Sequence, residues 1–100
     1  MNWKRKTDRA IIIELGNRIR EKRIQKRFRQ SDLAQRAGIN VYTLQKMEHG
    51  KSFTISTLIQ VLRALNELDQ LDHFLSRVEI SPIDLLASKD KTTLRVRNKK

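Results

Sequence analysis

The side chains with the most legible chemistry lie in the run VYTLQKMEHG: Val41, Tyr42, Gln45 and Lys46. At helical spacing these four share one side of a helix that begins at Val41, while Leu44 and Met47 face the other way. A glutamine amide can pair with the N6/N7 edge of adenine, and a lysine can donate to O6/N7 of guanine. Val41 and the Tyr42 ring suit a thymine methyl, and the Tyr42 hydroxyl suits a phosphate. For Val41 and Tyr42 the competing reading is packing onto the preceding helix. For Gln45 it is a solvated helix face.

Around this stretch stand side chains suited to anions. Asn40 is a good N-cap for the helix at Val41 and a candidate phosphate contact at its N-terminus. The backbone amide of Gln30 opens the helix before it, where the helix dipole favours an anion. His49, Lys51 and Ser52 follow the second helix. The ring of His49 could instead meet the carbonyls at that helix's end.

The elements that must position these groups are readable. Gln30 to Ala37 has helical spacing with Leu33 and Ala34 apolar. Gly38 then stands where a left-handed residue would end the helix, Ile39 is an apolar plug, and Gly50 ends the second helix. Two short helices joined by a tight glycine turn, the second with an exposed polar face, are the helix-turn-helix signature. Upstream, Thr7 or Asp8 caps a helix running to about Arg27, with Ile12, Leu15, Ile19 and Ile24 as its apolar stripe. Gly16 inside that helix is either tolerated strain or a close approach of another helix. Ile11 and Ile13 point away from the main stripe. Downstream, Thr54 or Ser56 caps a helix containing Leu58, Ile59, Val61, Leu62 and Leu65, which Asn66 ends. A fifth helix is expected over about 67–77, with Leu71, Phe74, Leu75 and Val78 as a candidate dimer surface. Ser81-Pro82 starts a single turn reaching Leu86.

The motif resembles the Xre/lambda-repressor-like helix-turn-helix domains. The residues that carry the resemblance are Leu15-Gly16, Ile19-Arg20, Arg23, Gln30, Leu33-Ala34, Ala37-Gly38-Ile39, Thr43-Leu44, Met47-Glu48, Gly50-Lys51 and Leu58 to Leu65. The resemblance implies a compact all-α, five-helix domain that binds operator DNA as a homodimer. It implies phosphate contacts from Gln30, His49, Lys51 and Ser52, and a structural ion pair between Arg23 and Glu48. Arg29 departs from the pattern, which usually has Ser or Thr at that N-cap. The extension with LDHFL and SPIDLL also resembles antitoxins of Hip-type modules, for which a protein toxin would be a further partner. Such antitoxins repress their own operons as well.

Charge agrees with a nucleic-acid partner. The net +11 is unevenly spread: residues 1–29 carry +8, residues 54–86 carry −3, and residues 87–100 carry +5. A basic field of this kind supplies the sequence-independent part of DNA affinity. The expected organisation is a basic N-terminal segment 1–7, a helix-turn-helix domain 8–78, a short extension 79–86 and a basic disordered tail 87–100. The chain has no cysteine and only two histidines, His49 and His73, so neither a disulfide framework nor a metal or other cofactor is expected. No apolar run approaches a membrane span, and a soluble cytoplasmic protein is expected. With no glycine-rich phosphate loop and no nucleophile–base spacing, an enzyme is not expected. The few aromatic residues offer no stacking surface for RNA.

Overall fold

A computed structural model describes residues 1–79 and Ile83. A 310 turn, Trp3–Arg5, precedes four α-helices: α1 (Asp8–Gln25), α2 (Gln30–Ala37), α3 (Val41–Glu48) and α4 (Ile55–Ala64). A second 310 segment, Leu68–His73, follows. Among the described residues every regular element is helical, with no strand. The turn at Ser81-Pro82 and the tail 87–100 lie outside the described residues.

Three helices begin on a side-chain cap. The Oγ1 of Thr7 accepts from the Ala10 N–H at 3.1 Å, the Oδ1 of Asn40 from Tyr42 N–H at 2.7 Å, and the Oγ1 of Thr54 from Thr57 N–H at 3.1 Å. At α2 the cap residue is Arg29, whose guanidinium has nothing to accept with. Asp32 substitutes from inside the helix, its Oδ2 accepting the Arg29 backbone N–H at 2.9 Å. This is the reciprocal half of a capping box. That hydrogen bond, more than the neighbouring guanidinium, holds the Asp32 carboxyl below the usual carboxylate range.

All four α-helices end on one device. Arg27, Gly38, Gly50 and Asn66 have φ of 62°, 73°, 84° and 61°. After each, the next backbone N–H reaches back five residues: Phe28 to Arg23, Ile39 to Ala34, Lys51 to Lys46 and Glu67 to Leu62, at 2.8–3.1 Å. These are Schellman closures, which satisfy carbonyls that the helix leaves open. Arg27 is the one residue of the four whose type disfavours the left-handed region, at a cost of about 1 kcal/mol. The first helix therefore stops at Gln25, not at Arg27 as its composition suggests.

Ile19, Leu33, Ala34, Ala37, Leu44, Met47, Val61 and Leu65 form the buried core, with Phe28, Ile39, Phe53, Leu58 and Ala64 packed against it. Ile24, expected in the stripe of α1, is half exposed. It lies five residues beyond Ile19, well around the helix from the buried face. Gly16 resolves in favour of close approach: a Cβ there would fall on the Met47 carbonyl oxygen. The backbone of α1 thus rests directly on the end of α3. Ile13, one turn earlier, fills the space beside Gly50.

The expected helix over 67–77 is instead the six-residue 310 segment, with Phe74 extended beyond it and Leu75 at φ 53°. A 310 helix stacks residues three apart, so Leu68 and Leu71 line up on one side, and Phe74 follows in extended backbone. Leu75 and Val78 do not join them.

Candidate nucleic-acid interface

The α3 helix is eight residues long and buries Leu44, Met47 and Glu48. Its outward side presents Val41, 38% exposed, and Tyr42, 63% exposed. Lys46 and His49 are also exposed, and Gln45 is half-buried. Tyr42 therefore stands mostly in solvent, while Val41 divides its surface between protein and solvent. The Lys46 Nζ sits 5.0 Å from the centroid of the Tyr42 ring, one turn along the same side, a cation–π distance. At the helix end it is the backbone N–H of His49 that meets the carbonyls of Gln45 and Lys46. This exposed row combines an aromatic ring, a branched apolar group, an amide and an ammonium.

The candidate phosphate residues border that row. The Oδ1 of Asn40 is committed to its cap, leaving its amide N–H groups as donors. Gln30 is half-buried, and its Nε2 donates to Glu48 Oε1 at 3.0 Å, so one amide hydrogen is engaged inside the protein. Lys51 and Ser52 are exposed in the loop after α3. The Lys51 N–H bond to the Lys46 carbonyl at 2.9 Å fixes that loop relative to α3.

Behind the row lies an ionic cluster. The Arg23 Nε and Nη2 donate to Glu48 Oε2 and Oε1 at 2.7 and 3.1 Å. Its Nη1 donates to the Phe28 carbonyl at 2.8 Å. With the Gln30 bond, every oxygen of the buried Glu48 carboxylate is satisfied, and helices α1, α2 and α3 are tied at one point. A bidentate guanidinium–carboxylate pair also fixes geometry, here the angle at which α3 leaves the core. The Gln30 link is not readable from sequence, since it joins residues eighteen apart through side-chain directions alone.

The expected dimer residues stand on another side. Leu71, Phe74, Leu75 and Val78 are 37, 57, 84 and 86% exposed. Leu71 and Phe74 also line an apolar groove of about 320 Å³ formed with Leu15, Ile19, Ile55, Leu58 and Leu62, to which no α3 residue contributes. At its rim Glu67 accepts from Gln70, the main cause of its lowered pKa, and pairs with Lys22 and Lys26 at 3.4 and 3.7 Å.

Among the described residues no group of His, Cys, Asp and Glu could hold a metal ion, and no helix is long and apolar enough to cross a membrane. A protein-family model described as helix-turn-helix matches residues 19–71, from the middle of α1 to the second 310 segment. No curated protein matches the chain.

Proposed function

The chain belongs to the Xre/Cro-type helix-turn-helix family and is a DNA-binding transcription regulator, and on that premise we propose that it acts as a dimeric, sequence-specific repressor of the operator it binds. The observation that carries the reading is the split of α3. One side is locked into the core through Leu44, Met47 and Glu48, and the other offers Val41, Tyr42, Gln45 and Lys46. A helix so held enters the major groove with its N-terminal residues nearest the bases. Val41 and Tyr42 then meet thymine methyls, and Gln45 and Lys46 meet an adenine and a guanine one turn further on. Gln30, Asn40, His49, Lys51 and Ser52 set the register on the phosphates.

A two-fold dimer places two α3 helices about 34 Å apart, one turn of DNA. We assign its surface to Leu71, Phe74, Leu75 and Val78, in the acidic stretch that does not favour phosphate. A closed dimer also shields apolar surface that a small domain exposes at a cost in solubility.

The test is a titration of Lys46→Ala against an operator selected from randomised duplexes and against random DNA. Loss of a base contact costs about 1–3 kcal/mol on the operator and little on random DNA. Equal loss on both would make Lys46 a phosphate contact and remove it from the reading side.

A further inference from the structure

The basic residues of α1 divide into two sets. Arg18 pairs with Glu14, Lys22 with Glu67 and Arg23 with Glu48, at 2.9, 3.4 and 2.7 Å. Arg9 and Arg20 are exposed and have no carboxylate partner among the described residues. Both lie on the α3 side of the helix, as does Arg23, whose charge Glu48 takes up. Arg9 lies one turn before Ile13, which packs beside Gly50, and Arg20 lies one turn beyond Gly16, which rests on the Met47 carbonyl. Residues four apart share a helix face. The acids of α1, Asp8, Glu14 and Glu21, stand about 100° or more around the helix from both arginines. One edge of α1, running alongside Met47 and Gly50 at the C-terminal end of α3, therefore carries two uncompensated cations.

We propose that this edge is a second DNA-backbone contact, in which Arg9 and Arg20 hold phosphates beside the C-terminal end of α3. The proposal rests on the DNA-binding reading and adds to it a surface outside the helix-turn-helix itself. Arg9 even precedes the family-matched segment, which starts at residue 19. Eleven residues at 1.5 Å each separate the two arginines by about 16 Å. With one phosphate per 3.4 Å of each strand, that span is several phosphates long, so the two side chains meet different ones. The seat of α1 on α3 makes the edge rigid with respect to the reading helix. The phosphates it holds thereby limit how deeply and at what angle α3 lies in the groove.

The experiment measures affinity against salt concentration for the full chain and for Arg9→Gln, Arg20→Gln, the double variant and Arg18→Gln, on operator and on random duplex. Glutamine keeps helix propensity, and circular dichroism checks that each variant is folded. Each lost phosphate contact lowers the slope of log K against log salt by about 0.9. The expected result is a fall of about 0.9 in each single variant and about 1.8 in the double, on both DNAs, with Arg18→Gln unchanged. An unchanged slope in the double variant overturns the proposal while leaving operator binding by the parent intact. An equal fall in Arg18→Gln also overturns it, since general positive charge would then be responsible. If the parent chain binds no duplex at all, the DNA-binding reading falls first and this surface with it.

Discussion

Removing the Glu48 carboxylate should be the most destabilising single change in the domain. Its side chain is 2% exposed and that of Arg23 12%, so Glu48→Ala leaves a guanidinium nearly out of water without its counter-charge. Breaking a buried pair from one side costs about 3–5 kcal/mol, and Gln30 loses its acceptor as well. A chain of this size has a total stability on the order of 5–10 kcal/mol, so the variant should be barely folded at 25 °C. Removing both partners is a different perturbation. In Arg23→Met with Glu48→Leu no charge is stranded, and well-packed apolar replacements of buried ion pairs are often neutral. The Phe28 carbonyl does lose its donor and the half-buried Gln30 its acceptor, at up to about 1 kcal/mol each. The double variant should therefore lie within about 1–2 kcal/mol of the parent, more stable than either single variant. Urea unfolding followed by far-ultraviolet circular dichroism measures this. With m of about 1 kcal/mol/M, the single variants shift the midpoint by about 3 M or lose the folded baseline. If each single variant costs under about 1 kcal/mol and the two costs simply add, the cluster is not a coupled, desolvated unit and the reasoning fails.

Gly16→Ala should destabilise by about 1–2 kcal/mol despite the gain in helix propensity, because the added methyl meets backbone at Met47 that cannot yield without moving α3; a raised melting temperature would contradict the close contact. Phe74→Asp should leave the fold intact, since the side chain is 57% exposed, and turn the proposed dimer into a monomer in sedimentation velocity. An unchanged dimer would move the interface away from Phe74.

The parts of this domain that were legible in the sequence are those with local chemical signatures. Asn40 and Gly50 bracket α3, Gly38 ends α2, and Leu44 with Met47 marks the buried side, so the exposed row follows from spacing alone. Composition carries α1 to about Arg27, two residues past its end at Gln25, because the left-handed conformation of Arg27 is one its residue type does not advertise, whereas Gly38 and Asn66 do. The sequence suggests a longer last helix than the chain forms because apolar spacings of three and four both occur after Asn66. The chain follows the threefold spacing of Leu68 and Leu71 in a short 310 segment that ends before Phe74. Ile24 looked like core because it is apolar, but its angle on the helix excludes it. Contacts through space had no local signature at all. The Gln30–Glu48 bond, and the pairing that leaves Arg9 and Arg20 uncompensated, emerge only once α1, α2 and α3 are placed together.

Whether the outward side of α3 is the surface that meets DNA is decided by amide chemical-shift mapping by NMR, with a selected operator duplex titrated into labelled protein. The largest changes are expected at Gln30–Ser31, at Asn40–Lys46 and at His49–Ser52, with little change along Leu58, Leu62 and Leu71. Largest changes along that apolar groove, with α3 unperturbed, would contradict DNA contact through α3.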